Sequence, residues 1–181
     1  MLIGAAQVSP HITNLFDSTC INVFQNIDQN IKKVNHPFEP SDALTAYINA
    51  DSSDLNVALL LSIPKQLLTE LLPANEAHNA KNENALGESI LELSNQLLGK
   101  LKSQLVSDQC RLNLGLPELC VKTESSRLLP VTPNKHKLFY QVENNFIECW
   151  LAVDVINKNM TMSPANQEIN ASFKESELEL F

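Results

Sequence analysis

The sequence predicts an α+β fold in which long helices pack on an antiparallel sheet. Two long stretches carry apolar residues at the spacing of a helix, and shorter segments rich in Leu, Val, Ile and Phe have strand character. The turns within two pairs of these segments are short, so the paired strands form hairpins. Each half of the chain begins with a helix and continues into strands, which indicates a faint internal pseudo-repeat.

The first half of the chain predicts a helix followed by a hairpin. Residues 11–27 place Ile12, Phe16 and Val23 at helical spacing, so the predicted helix turns an apolar stripe inward. The segments LTAYINA and LNVALLLSI then flank the turn cluster DSSD. Two short apolar segments around a polar turn predict a β-hairpin over residues 44–63.

The second half predicts two helices and then strands. Pro64 suits the first turn of a helix that Pro73 ends, and a polar loop follows from residue 74 to residue 82. A long helix then runs from about residue 84 to residue 106. Asn144 and Asn145 tolerate positive φ, which predicts a hairpin between the last two strands. The predicted strands of this half lie in residues 110–123, 136–143 and 146–156.

We expect residues 1–156 to form one domain and residues 157–181 to form a disordered polar tail. The 181 residues are enough for one domain with a proper hydrophobic core. After residue 156 the sequence is polar and has few β-branched residues, a composition typical of disorder.

Composition excludes several classes of function. The net charge of −8 argues against binding to nucleic acid or to an anionic membrane, because both need clustered Lys and Arg. No apolar run approaches the roughly 20 residues that span a bilayer, and no lysine or arginine precedes Lys32, so we expect a cytoplasmic protein without a signal peptide. The four widely spaced cysteines predict buried reduced thiols, and the histidines lack metal-ligand spacing, so no metal site is expected.

The long helix has an unusual polar face. At about 100° per residue, its leucines and Ile90 define one face that is expected to pack on the sheet. A glycine in the helix interior costs about 1 kcal/mol relative to alanine. The missing Cβ is an advantage only where another molecule approaches the helix closely. The alternative is that the glycine is a tolerated defect and that the two glutamates only make the surface more soluble. The residues on the polar face are Glu88, Glu92, Asn95 and Gly99.

Two of these side chains suggest a chemistry. Glu92 and Asn95 are three residues apart in a helix, so their side chains are neighbours. A carboxylate pairs with Lys or Arg, whereas a carboxamide is neutral and offers both a donor and an acceptor. Such an amide is a poor base but can orient water for in-line attack on phosphorus. The pair therefore suits a protein that inserts side chains into the phosphoryl site of another protein.

These residues resemble the signature of the CheC/CheX/FliY chemotaxis phosphatases, and of CheX-like proteins most closely. In that signature Asp or Ser is followed by three residues, Glu, two residues and Asn. This chain has ESILELSN, which ends in Glu92 and Asn95. The segment LELSNQLLG is similar to the family's helix pattern, and LNLGLPEL, with Pro117, is similar to the strand that follows it. The order of elements is similar over residues 10–156.

The resemblance implies a CheC-like fold and removal of the phosphoryl group from the phospho-aspartate of a CheY-like response regulator. It implies that Glu92 pairs with a lysine of the regulator and that Asn95 orients the attacking water. The Mg²⁺ would belong to the regulator, so no cofactor is expected in this chain. Glu88 and Gly99 are expected to contact the partner, and the chain is expected to form a homodimer.

The chain departs from the family pattern at two points. The first signature position is Glu88 instead of Asp or Ser, and the first helix has Thr19 where a second glutamate would stand, three residues before Asn22. One active site is therefore expected, as in CheX. These departures leave open a second hypothesis, a non-catalytic interaction domain of the same fold that binds a response regulator or a flagellar-switch-like partner. A dimerisation module with no phosphoryl role is a third hypothesis.

Overall fold

The structure is a computed structural model that describes residues 2–26, 29–35, 42–71, 83–107, 110–121 and 127–162. Within these ranges the chain has the α+β architecture that the sequence predicts. The helices are α1 (Ala5–Phe24), α2 (Lys65–Leu71) and α3 (Glu83–Ser107). The strands are β1 (Ile3–Gly4), β2 (Lys32–Val34), β3 (Ala43–Asp51), β4 (Leu55–Pro64), β5 (Asn113–Leu114), β6 (Glu118–Cys120), β7 (Lys135–Val142), β8 (Asn145–Val155) and β9 (Thr161–Met162).

Most of the strands belong to one antiparallel sheet. Its order is β2-β7-β8-β4-β3, and both β5 and β6 pair with β3 at the edge. The hairpins β3–β4 and β7–β8 lie side by side, with β4 and β8 at the centre. Each hairpin is flanked by a strand from the other half of the chain. The strand order is therefore symmetric about the β4–β8 pair, in agreement with the predicted internal pseudo-repeat.

The helices cover one face of the sheet and enclose the main core. α1 packs on α3 and β8, and α3 packs on β3 and β4. Alternate residues of β4, such as Leu59 and Leu61, belong to this core. Leu60 belongs to a smaller apolar cluster on the other face of the sheet. Because β4 is buried on both faces, its sequence is a nearly continuous apolar run. No helix in the described ranges is long and apolar enough to cross a membrane.

The first helix is longer at its start than the sequence predicts. α1 begins at Ala5 instead of residue 11, and it ends at Phe24 instead of residue 27. Pro10 lies inside the helix, where it removes a backbone hydrogen bond. Val8 and Ile12, one turn apart on the same face, are both fully buried. Packing of this face therefore outweighs the unfavourable proline.

The predicted elements of the middle of the chain are confirmed. The β3–β4 hairpin pairs Ala43 with Pro64 through to Asp51 with Asn56. α2 begins directly after Pro64, and α3 extends the predicted helix by one residue at each end. Pro73 and the predicted loop 74–82 lie outside the described residues.

The predicted C-terminal strands are present, with two differences. The β7–β8 hairpin turns at Glu143 and Asn144, and Glu143 has the positive φ of 52° that was expected of an asparagine. The strand segment predicted over residues 110–123 consists of two short strands, β5 and β6. The chain between them contains Pro117, which has no N–H to donate to a sheet ladder.

The domain extends past the predicted boundary at residue 156. β9 pairs with β1, so residues 157–162 belong to the fold. Met160 and Met162 are 8% and 0% exposed and lie in the main core. The segment is polar on average, but these two side chains supply enough apolar surface to anchor it to the core. Residues 163–181, most of the expected tail, lie outside the described residues.

Candidate functional site

The candidate site lies on α3, which has a buried apolar face and an exposed polar face. Leu97 and Leu101 are fully buried on its inner face. Ser94 is also fully buried, and its hydroxyl donates to the carbonyl oxygen of Leu91 at 2.8 Å, so this core serine is satisfied within the helix. Glu83 in the first turn complements the positive end of the helix dipole. The helix therefore holds its polar face in a fixed position above the sheet.

Glu92 and Asn95 differ in their surroundings. Glu92 is exposed, and its Oε1 accepts a hydrogen bond from Nε2 of Gln96 at 2.9 Å. Asn95 is half-buried, and no described residue forms a hydrogen bond with its carboxamide. Within the described part of the chain, the donor and acceptor groups of the Asn95 amide are therefore left for water or for a ligand, close to the exposed carboxylate of Glu92.

The other two predicted contacts lie on the same face. Glu88 is exposed one turn before Glu92. A Cβ atom added to Gly99 would lie 3.9 Å from Cδ1 of Leu114, an ordinary contact distance. Gly99 therefore faces β5 of its own chain, and an alanine fits there. The structure gives no geometric requirement for glycine at this position.

The corresponding positions of α1 do not form a second face of this kind. Thr19 is 1% exposed, and its hydroxyl lies 2.8 Å from the carbonyl oxygen of Leu15 and 3.1 Å from Oε1 of Gln104 on α3. Asn22, three residues later, is exposed. Thr19 is thus part of the contact between the two helices and is unable to reach another protein.

Sequence reasoning missed two features beside the site. The first is the Gln96–Glu92 hydrogen bond, which could have been predicted from the four-residue spacing of the two side chains on a helix. The second is the interruption of the edge strand between Leu114 and Glu118, whose signal is a glycine and a proline inside a strand pattern. Across the described ranges, no group of three or more His, Cys, Asp and Glu side chains is placed to hold a metal ion.

Solved structures with the same fold come from chemotaxis proteins. A chemotaxis protein CheX from Vibrio vulnificus is 12% identical, with a TM-score of 0.63, over 80% of this chain and 99% of its own. A CheX–CheY–BeF₃–Mg²⁺ complex from Borrelia burgdorferi matches with 11% identity and a TM-score of 0.57, over 78% of this chain and 96% of the matched chain. A CheC-like superfamily protein from Shewanella sp. PV-4 is 12% identical, with a TM-score of 0.56, over 79% of this chain and 97% of its own.

Comparison of the whole sequence with family models and with curated proteins finds no match. The similarity is therefore one of structure and of the short motif on the long helix. The identity to each of the three structures is far below the level at which sequence establishes descent, whereas each matched chain is covered almost completely. The chain therefore has the CheC-like fold of the CheX and CheC-like chemotaxis proteins, as the resemblance of its long helix predicts.

Proposed function

We propose that this chain is a phosphatase that hydrolyses the aspartyl phosphate of a CheY-like response regulator. Asn95 is its catalytic residue and Glu92 is its docking residue. The observation that carries the proposal is the carboxamide of Asn95, which no described residue engages. It stands three residues from an exposed carboxylate, on a fold that a solved CheX–CheY complex also contains.

In this proposal Asn95 orients the attacking water. Its carbonyl oxygen accepts a hydrogen bond from the water and its NH₂ group donates one, which aligns the water oxygen with phosphorus. A new bond forms between that oxygen and phosphorus while the bond from phosphorus to the aspartyl oxygen breaks. The aspartate carboxylate of the partner leaves with the electron pair of the broken bond, and both protons of the water remain on the inorganic phosphate that is released. Such catalysis consists of positioning, for which a neutral amide is suited.

Glu92 has the role of a docking residue. Its carboxylate is exposed and forms a charge-assisted pair with a lysine of the partner. The hydrogen bond from Gln96 uses one lone pair of Oε1 and restricts the rotation of the carboxylate before the partner binds. Glu88, one turn away, adds negative charge to the same approach path. The Mg²⁺ belongs to the regulator, and this chain supplies no metal ligand.

Two further expectations accompany this proposal. A partner of the CheY type implies a cytoplasmic location. A homodimer formed through sheet edges, which the resemblance implies, is tested by light scattering of the purified chain. A dimeric mass supports this expectation, and a monomeric mass over the working concentration range contradicts it.

A non-catalytic interaction domain is the second candidate function. The observation that favours it is the internal hydrogen bond of Glu92, because a carboxylate that already has a partner gains less from a second one. In this case the chain binds a regulator through the same helix face but does not change the lifetime of its phosphoryl group.

The test is the decay of a ³²P-labelled CheY-like regulator with the wild-type chain and two variants. We expect the wild type to accelerate decay and Asn95→Ala to lower the rate about 100-fold while binding is retained, because one positioning group is removed from the transition state. Asn22→Ala is the matched control, an exposed helical asparagine on α1 whose removal leaves the rate unchanged.

The outcomes separate the two candidates. If the chain binds the CheY-like regulators of its source organism but accelerates the decay of none of them, the phosphatase proposal is wrong and the interaction domain remains. Acceleration that survives Asn95→Ala shows that the activity resides elsewhere on the chain. Loss of activity in Asn22→Ala contradicts the assignment of a single site to α3.

A further inference from the structure

The edge strand next to α3 contains a β-bulge. Leu114 is opposite Ala50 of β3, whereas Glu118 is opposite Tyr47. The backbone N–H of Gly115 donates to the carbonyl oxygen of Asn49 at 2.8 Å, which continues the first register by one residue. Two residues of the edge strand, 116 and 117, therefore face a single residue of β3, residue 48. Bulges occur at sheet edges and beside functional sites, where they redirect a side chain.

This bulge lies beside the part of α3 that carries the candidate site. Leu114 approaches α3 at Gly99, and Leu119 approaches it at Gly87, where an added Cβ would lie 2.9 Å from Cδ1 of Leu119. These glycines are about 18 Å apart along the helix axis, close to the roughly 17 Å that five extended residues span. The edge strand therefore runs antiparallel to the helix, and residues 115–118 pass beside the section that contains Asn95.

The bulge presents apolar side chains at this place. Leu116 is 84% exposed and Leu119 is 51% exposed. A single exposed leucine needs no explanation, but here two lie in one edge segment next to a polar helix face. Protein interfaces commonly combine an apolar contact with a polar rim. Pro117 lacks an N–H, and the bulge disrupts the ladder, so this edge is poorly suited to adding a strand from a second copy of the chain.

We propose that Leu116 and Leu119 form the apolar half of the surface that receives the regulator, beside the polar half formed by Glu92 and Asn95. This inference rests on the proposed function, because it takes the receiver domain of a CheY-like regulator as the occupant. The polar half acts on the phosphoryl site, and the apolar half contacts the surface of the receiver domain next to it. Leu116 contributes to affinity and to the choice of partner, and it takes no part in the chemistry.

The test compares Leu116→Ser with Val131→Ser in the full chain. Val131 is fully exposed in the connection between β6 and β7, so it is a matched control for the loss of an apolar surface side chain. The probe is a CheY-like receiver domain with bound beryllofluoride for the dissociation constant, and the phosphorylated form of the same domain for kinetics. We expect Leu116→Ser to raise Kd and KM about tenfold, the effect of losing one well-packed interface side chain. We expect kcat to stay unchanged and Leu116→Met to restore binding.

The outcomes distinguish this inference from the proposed function. If Leu116→Ser leaves Kd and KM unchanged while the wild type is active, the docking surface is wrong and the phosphatase stands. An equal loss in Leu116→Ser and Val131→Ser also contradicts the docking surface. If the wild type binds the receiver domain without accelerating decay, the phosphatase fails, and a tenfold rise of Kd in Leu116→Ser still supports the docking surface. A wild-type chain that neither binds nor dephosphorylates a receiver domain overturns both.

Discussion

Tyr140 illustrates how single side chains join α1 to the sheet. Its hydroxyl donates to Oδ1 of Asp17 at 2.7 Å, and Nζ of Lys33 lies 2.6 Å from Oδ2 of the same carboxylate. Burial raises the pKa of Tyr140 well above its usual range, and the thiols of Cys20 and Cys149 act in the same direction. The phenol is therefore neutral in the folded protein under conditions in which an unfolded chain ionises it.

We expect Tyr140→Phe to change both stability and its dependence on pH. At neutral pH the lost hydrogen bond to a charged group lowers the free energy of unfolding by about 1.5 kcal/mol. Above about pH 10 the unfolded wild type releases the phenol proton and the folded wild type keeps it, so wild-type stability falls by up to about 1.4 kcal/mol per pH unit. The variant lacks this contribution. Urea unfolding from pH 8 to 11 measures both effects, and parallel curves for the two proteins would contradict the second.

Glu148 shows how the other face of the sheet accommodates a charge. This carboxylate is 1% exposed, and its Oε1 lies 2.6 Å from Nε1 of Trp150 and 2.7 Å from Nζ of Lys137. The same ammonium group is 4.8 Å from the ring centroids of Phe139 and Trp150. Lys137 and Trp150 are directly opposite each other on β7 and β8. Cation–π contacts and two donors thus offset the desolvation of a buried charge and hold this hairpin together.

At the scale of elements, α3 combines packing with presentation of the candidate site. Its two glycines both face the edge strand, but they are not equivalent. Gly87 is buried with a side-chain atom of Leu119 within 2.9 Å of its missing Cβ, whereas the nearest atom to Gly99 is at 3.9 Å. Gly87 therefore permits close packing of the edge strand, and Gly99 has room for a methyl group.

We expect Gly99→Ala to stabilise the protein by about 0.5–1 kcal/mol, because alanine has the higher helix propensity and meets no close contact. Gly87→Ala is the comparison and should gain less, since Leu119 must move to admit the methyl group. Chemical unfolding of the three proteins measures the difference. If Gly99→Ala were stable but raised KM for the regulator, the sequence-based expectation that Gly99 admits the partner would be supported.

At the scale of the whole molecule, the two ends of the described chain meet. β1 at the start pairs with β9 near the end, through Ile3 with Met162 and Gly4 with Thr161. The β1–β9 pair is separate from the large sheet and lies next to α1. Met162 is completely buried there. The segment after β8 is therefore part of the structure that closes the core around the first helix.

We expect Met162→Ala to lower the free energy of unfolding by about 2 kcal/mol, the lower end of the range for truncating a buried methionine. A short two-residue pairing relaxes more readily than a central strand, which is why the lower end applies. Ile156→Ala is the control, because Ile156 is half exposed and its truncation should have little effect. Equal stabilities of the two variants would mean that the segment after residue 156 adds nothing to the fold.

Helices and strands with a clear local pattern could be predicted from the sequence. Helical spacing located α3 to within one residue at each end, and apolar segments around short turns located both hairpins. The polar face of α3 follows from the same periodicity, so Glu88, Glu92, Asn95 and Gly99 share one side of the helix as predicted. Periodicity does not predict the chemical roles of these four residues. The dephosphorylation and docking experiments test those roles.

Features that depend on contacts between residues distant in sequence could not be predicted and are seen only in the folded chain. The start of α1 depends on burial of Val8 and Ile12, which overrides Pro10. The role of residues 157–162 depends on two methionines that reach a core formed by other segments. The position of Leu116 depends on the register between β3 and its edge strands, and the composition of residues 110–123 does not specify a one-residue bulge there. Local periodicity records which face of an element is apolar, whereas only the assembled chain determines what lies next to that face.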